Sequence, residues 1–389
     1  MKRATESQSQ LKDVNMEAVA RAAGVHRTTV SMALRGHPKL PEATRARIRE
    51  LAERMGYRPN PLVQALMSTR AARGRGKGGG GGGGGAAMTA EGFVAELAFV
   101  SRQAKPAEWE RERGLSAYGQ MFRGAREQAA RRGYRLSYWW REEPGMTGVR
   151  FAQILEARNI HGVLIAPHSG AGNRIDMPWE RFSVMEVGYN LIEPDFHRVV
   201  HDYFHGMRLA LARVREAGAR RVALVLPWRM DEKVHHLWRA AFVDEQRLWP
   251  VRERIAPWVV SDEDAREGRS VEVFARWFER CRPEIIVAPT PRFVEPVAKA
   301  AGLRVPDDVG FVNLSCHERE GRYSGIFQDW SRMGATAVDM LIGMMHRGER
   351  GVPEQAHSTL VSGLWVPGRT LGGGRGGAFR NEVARTSGA

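Results

Sequence analysis

Cysteine is scarce: Cys281 and Cys316 are the only two among 389 residues. Two cysteines with no CxxC spacing cannot build a disulfide framework. A reducing cytoplasm is therefore the expected compartment. Long apolar runs are missing as well. No stretch approaches the roughly 18 residues of a membrane span. The opening MKRATESQSQ lacks the apolar segment of a secretion signal. Familiar catalytic signatures are also missing: there is no GxSxG, no HExxH, no GxGxxG after a strand and no metal-spaced His/Cys set. These absences argue against secreted, membrane-spanning and metal-centred classes, and no cofactor or metal is expected.

Acidic residues are outnumbered, 44 against 59 Lys and Arg, giving a net charge of +15. Such an excess suits an acidic polymer as partner. Its distribution is uneven. Residues 1–77 hold 16 basic and 6 acidic side chains, a net +10. Within them, Met16, Val19, Ala20 and Ala23 recur at the spacing of one helical face. Asn15 is placed to cap that helix. Gly24 interrupts, and Val30, Ala33 and Leu34 form a second stripe on a helix starting near His26. Two short helices joined through a glycine turn outline a helix-turn-helix, whose second helix enters the DNA major groove. Pro41-Glu42 opens a third helix with Ile48, Leu51, Ala52 and Met55 inward, and Gly56 stops it. Beyond it, Asn60 can cap and Pro61 can start a helix of about seven residues, too short to hold alone in water.

The segments VNMEAVARAAGVHRTTVSMALRG and LPEATRARIRELAERMGYRPNPLVQAL closely resemble the headpiece and hinge helix of the LacI/GalR repressor family. The matching pieces are the AAGV turn, TTVS, ATR and the GYRPN hinge entry, nearly continuous from Val14 to Met67. The resemblance implies a dimer on pseudo-palindromic, double-stranded operator DNA. It places His26, Arg27, Thr28, Thr29, Ser31 and Met32 in the DNA-reading segment and Asn60 at the hinge. Leu66 stands where the family wedges a leucine into the minor groove, which can unstack a base step and bend the duplex. His26, Met32 and Pro41 depart from the family's serine, polar residue and serine at those positions.

Residues 69–91 read as a flexible linker, since the eight glycines 78–85 hold no fixed path. Lys77 has no following Ser or Thr and no preceding strand, so this is no phosphate loop. From residue 92 to 371, strand-like runs alternate with helical ones. Strands are predicted at Phe93–Val100, Arg135–Trp140, Gly162–Ala166, Ser183–Val187, Arg221–Leu226, Glu284–Ala288 and Val309–Leu314. Helices are predicted at Met121–Arg131, Phe151–Ala157, Met207–Glu216, Lys233–Arg247 and Val271–Cys281. The expected fold class is thus α/β: an all-α headpiece (12–58), a hinge helix (59–68), the linker, then a two-lobed doubly wound domain. GARRVALV, LRVPDDVGFV and QDWSRMGATAVDML resemble the periplasmic-binding-protein-like core of the same family. The glycine-rich 372–389 reads as a disordered tail.

In doubly wound lobes, ligands sit beyond the C-terminal strand ends. That rule selects Trp109, His168, Ser169, Asn190, Trp238, Thr290, Ser315 and Trp330 as candidate effector contacts. By the resemblance, Trp238 falls near a sugar-binding arginine of the family, Thr290 where Asn-Asp is common and Ser315 where aspartate is common. These replacements point to an effector larger or more apolar than a simple sugar, carbohydrate-derived or otherwise. The leading expectation is a cytoplasmic, non-enzymatic, homodimeric transcriptional regulator with no membrane partner, acting as a repressor under a small-molecule effector. The alternatives are a constitutive or architectural DNA binder with a degenerate pocket, and an α/β enzyme carrying a DNA-binding arm.

Overall fold

The computed structural model describes residues 16–34, 40–55, 95–102, 104, 116–167, 173–189, 191–260 and 270–371. Contacts divide the chain near residue 95 into two units. In the first, α1 (Met16–Ala23), α2 (Arg27–Leu34) and α3 (Glu42–Arg54) bury one small core of Val19, Ala20, Val30, Ala33, Ile48 and Ala52. The turn after α1 follows from Gly24, whose φ of +65° costs a glycine little. Val25 N–H donates to the Ala20 carbonyl and Gly24 N–H to that of Arg21, a Schellman closure that satisfies two helix-end acceptors. Arg47 Nη2 of α3 donates to the Ala23 carbonyl, adding a cation at the negative end of α1.

The second unit is built on two six-stranded sheets. The first holds β1 (Ala95–Ser101), β2 (Tyr134–Trp140), β3 (Gly162–Ile165), β5 (Ser183–Val187), β7 (Arg198–His201) and β13 (Ser358–Val361), in the order β13-β7-β5-β3-β1-β2. Pairings β1–β3, β3–β5, β5–β7 and β7–β13 are parallel. The second holds β8 (Val222–Pro227), β9 (Trp258–Val260), β10 (Ile285–Ala288), β11 (Gly310–Cys316), β12 (Ser324–Phe327) and β14 (Leu364–Val366), in the order β14-β12-β11-β10-β8-β9. Only the β12–β14 pairing in it is antiparallel. A two-stranded ribbon, β4 (Asn173–Arg174) with β6 (Leu191–Glu193), flanks the first sheet. Continuously apolar strands such as GVLI and IIVA suit sheets covered on both faces.

Helices α4 (Ala117–Arg131), α5 (Gly148–Ala157) and α11 (Trp330–Arg347) serve the first lobe. Helices α6 (Tyr203–Glu216), α7 (Trp228–Lys233), α8 (Leu237–Gln246), α9 (Ser270–Cys281) and α10 (Glu295–Ala300) serve the second. The chain passes between lobes three times: from β7 to α6, from β12 to α11 and from β13 to β14. His201 sits at the first passage, 1% exposed. Burial pushes its imidazole down to about 4. Gly206 and Gly363 seat the ring: a Cβ at Gly363 would come within 2.8 Å of His201 Cε1.

Two expectations are corrected here. Lys233–Arg247 is not one helix. His235 and His236 adopt left-handed backbone, φ +52° and +59°, and separate α7 from α8. The physical reason is Asp231, fully buried, whose Oδ2 accepts from His236 Nδ1 at 2.9 Å and pairs with Arg239 Nε at 3.0 Å. Holding both an imidazole and a guanidinium on one buried carboxylate folds the backbone back on itself. Ser315 does not follow a strand. It lies inside β11, which runs on to Cys316 before a register shift against β12.

α4 and α11 pack closely through glycine. A Cβ at Gly334 would strike the Met121 carbonyl, and one at Gly124 the Ser331 carbonyl. Gly334→Ala should therefore cost about 1–3 kcal/mol, as overpacking does, read as a lower urea midpoint at unchanged slope. His201 gives a pH signature. Its folded pKa lies below the unfolded 6.5, so the unfolded chain binds the proton first and stability falls as pH drops from 6.5 toward 4. The loss approaches about 3 kcal/mol at the lower end. Urea titrations from pH 7 to 4.5 should show a shallower decline in His201→Asn than in the parent.

Candidate nucleic-acid interface and interlobe cleft

The segment expected to read DNA begins where α1 turns. His26 precedes α2, and its carbonyl accepts from Thr29 N–H at 2.8 Å. Its Nδ1 lies 2.9 Å from Thr28 Oγ1 and accepts from Thr28 N–H at 3.4 Å. An imidazole thus does the work of a serine N-cap, using the lone pair of an unprotonated nitrogen. His26, Arg27 and Thr28 are exposed, and Thr29 and Met32 are half-buried. Val30 and Ala33, on the opposite face of α2, carry the packing. One face of α2 is therefore committed to the core, leaving Arg27 and Thr28 available for an outside surface. The Ser31 side chain, Asn60 and Leu66 lie outside the described residues.

In the second unit, residues at the C-terminal ends of both sheets meet along one seam. The Lys233 ammonium of α7 donates to the Tyr118 hydroxyl of α4 at 2.7 Å and lies 5.3 Å from that ring's centre. Gln120 Nε2 donates to the His317 carbonyl at 3.4 Å. Tyr189, just after β5, stacks on His235 with centroids 4.3 Å apart and planes 24° apart. Tyr189 is held from behind. Fully buried Glu186 accepts from Leu191 N–H and pairs with Arg198 at 3.3 Å, and Arg198 lies 5.7 Å from the Tyr189 ring centre. Burial, with Arg198 and His236 adding to it, pushes His235 down. Burial and Arg292 do the same to His317, outweighing Glu318.

Of the candidate effector residues, Trp109, His168, Ser169 and Asn190 lie outside the described residues. Trp238 is 3% exposed in the second lobe's core, edge-on to Tyr203 with centroids 5.1 Å apart. Trp330 is 9% exposed at the passage from β12 to α11, and its indole N–H has no hydrogen-bond partner among the described residues. Thr290 is half-buried and caps the turn at Pro291–Phe293, accepting from Arg292 N–H. Ser315 is half-buried, with its own N–H spent on Asn313 Oδ1. Tyr118, Lys233, His235, Arg292 and His317 join the seam without having been selected from sequence. Lys233 and Tyr118 are 115 positions apart, and no local pattern marks the pair. Among the described residues no group of three or more His, Cys, Asp or Glu is arranged to hold a metal ion.

Comparison with known proteins fits both halves. Residues 15–60 match the family model of bacterial regulatory proteins, lacI family. Residues 211–371 match the model of the periplasmic binding protein-like domain. The HTH-type transcriptional regulator AglR of Rhizobium meliloti (strain 1021) is 43% identical over 58 residues, 15% of this chain and 16% of that protein. Catabolite control protein A of Priestia megaterium is 40% identical over 58 residues, 15% of this chain and 18% of that one. The chain thus spans less than a fifth of the length of these curated relatives. A crystal structure from Rhizobium etli, described as a transcriptional regulator of the LacI family, superposes with a TM-score of 0.50 at 14% identity. It covers 71% of this chain and 98% of that one, a likeness of fold.

The imidazole cap makes a direct test. His26→Ala should cost about 1 kcal/mol of headpiece stability, within the usual span for a lost cap. His26→Ser should keep most of it. Hydrogen exchange at the Val19, Val30 and Ile48 amides in the full chain reads the difference. Equal protection in parent and Ala variant would show that His26 is not the cap.

Proposed function

We infer that this chain, which joins a lacI-family helix-turn-helix region to a periplasmic-binding-protein-like domain, is a sequence-specific DNA-binding transcriptional regulator. The observation that carries the reading is the three-helix unit with Arg27 and Thr28 exposed at the start of its second helix. That is the end a helix-turn-helix presents to base edges. The named relatives are regulators, which favours a non-enzymatic role. No described helix is long and apolar enough to cross a membrane, and a DNA-binding protein of this kind works in the cytoplasm.

Binding proceeds as a homodimer on a pseudo-palindromic operator. One helix-turn-helix per chain reads one half-site, and two half-sites multiply the affinity. Arg27 can reach guanine O6 and N7 with a bidentate pair of donors, while Met32 offers apolar contact to a thymine methyl. Asn60 caps the hinge helix and Leu66 enters the minor groove. The domain boundaries follow from this division: headpiece 12–58, hinge 59–68, linker 69–91, effector and dimerisation domain 92–371, tail 372–389. A small-molecule effector between the lobes shifts the DNA-competent population. Its contacts include Thr290, Ser315 and the indole N–H of Trp330, with Trp109, His168, Ser169 and Asn190 as further contributors. Trp238 acts from behind, supporting Tyr203 at the lobe passage.

Titration of full-site and half-site duplexes, at stated salt and with sedimentation of the free protein, tests the central claim. The full site should bind at least tenfold more tightly, and each mismatch should cost about 1–3 kcal/mol. Equal affinity for both duplexes would sink the dimeric-operator reading. Leu66→Ala should weaken operator binding and reduce bending while leaving the thermal midpoint of the second unit unchanged.

A further inference from the structure

Two cations at the seam between the lobes, Lys233 and Arg292, have no carboxylate partner among the described residues. Among the described residues, the polar partner of Lys233 is a phenol, Tyr118 Oη at 2.7 Å. Arg292 is exposed just beyond β10, and no ion pair engages its guanidinium among the described residues. It lies close enough to His317 to disfavour the imidazolium there. The two flanks are tied to one place by α4, whose Tyr118 meets Lys233 and whose Gln120 meets the His317 carbonyl. On the far side, Arg198 and His236 act on His235 in the same sense.

The carboxylates nearby are mostly engaged. Asp329 accepts from Arg332 N–H as the cap of α11 and lies 3.6 Å from Arg319. Asp202 caps α6 by accepting from His205 N–H. Glu318 and Glu320 are exposed, and beside His317 the influence of Arg292 exceeds that of Glu318. The strand ends themselves, Thr290 and Ser315, supply hydroxyls without charge. Lys233 is half-buried, and a partly desolvated cation without a counter-ion is costly, a cost that an incoming anion removes. Exposed Arg292 adds its charge at no such cost.

We propose that the effector is a small organic anion, a phosphate ester or carboxylate of a polyhydroxylated compound, held by Lys233 and Arg292. The inference rests on the reading of the cleft as the effector site. The anionic group takes the ammonium from Tyr118, exchanging a neutral contact for a charge-assisted one. Thr290 and Ser315 then meet hydroxyls of the same ligand. Because Tyr118 belongs to the first lobe and Lys233 to the second, that exchange alters the contact that joins them.

The test is calorimetric titration of the full chain at fixed ionic strength with glucose, gluconate and glucose 6-phosphate. At least one anion should bind saturably, and at least tenfold more tightly than glucose. Lys233→Gln and Arg292→Gln should each weaken that binding about tenfold or more, as loss of a charged hydrogen bond does. Lys233→Arg should restore most of it, and Arg247→Gln, on the outer surface of the second lobe, should leave it unchanged. Glucose binding as tightly as the anions, or anion binding indifferent to Lys233→Gln and Arg292→Gln, overturns the anion while the cleft stands. Binding by none of the three overturns it too. Operator titration of the same samples decides the regulator reading independently.

Discussion

Parallel strand pairing is the constraint on which the second unit depends. A parallel sheet sends all its strand C-termini to one edge. Here two such sheets contribute that edge to a single seam, so Tyr189 after β5 meets His235 after β8. The start of α4, after β1, meets α7 and the end of β11 in the same way. The polar groups gather there because loops leave the sheet at that edge and helices begin there. The opposite arrangement, alternating antiparallel hairpins, would scatter the same side chains over both edges.

The three passages between lobes add a second constraint. Each must cross a narrow zone without leaving backbone groups unpaired. Asp202 N–H meets the Val361 carbonyl at 3.0 Å, and Gln328 Nε2 meets the Leu314 carbonyl at 2.8 Å. Small residues make room for these crossings: Gly206 and Gly363 about His201, and Gly325 against Asn313. A buried neutral imidazole at that point is compatible with tight packing, whereas an imidazolium there would lose more to burial than the neighbouring Asp202 carboxylate returns. The passages therefore join the lobes through packed, specific contacts, while the seam beyond them is held by a few exchangeable polar ones.

Charge divides the labour between the two units. The basic excess concentrates in residues 1–77, which include the stretch 15–60 that matches the lacI-family model, as phosphate binding would require. In the second unit, most cations are spent on structure. Arg198 anchors Glu186, Arg239 anchors Asp231, and Arg215 anchors Glu253 at 2.8 Å. Against that background Lys233 and Arg292, which no described carboxylate pairs, stand out as a local exception rather than a property of the whole surface.

The sequence by itself determined the headpiece almost completely. Helix periodicity, Gly24 and the run from Ile48 to Met55 are local signals, and α1 to α3 form within a residue or two of where those signals place them. Seven strands of the second unit, β1, β2, β3, β5, β8, β10 and β11, were legible for the same reason: Ser183–Val187 is a continuous buried run with turn residues at its end. The other strands, β4, β6, β7, β9, β12, β13 and β14, were not. Only the tertiary structure decided the seam. Trp238 reads as a ligand platform by position, yet the packing of α8 turns it into the core against Tyr203. The helix break at His235 and His236 arises from the buried Asp231, whose depth depends on every element around it. Tyr118 and Lys233 meet across 115 positions because sheet order and chain crossings bring them together. Periodicity and capping act over a few residues, whereas these contacts depend on which strand ends the topology places side by side.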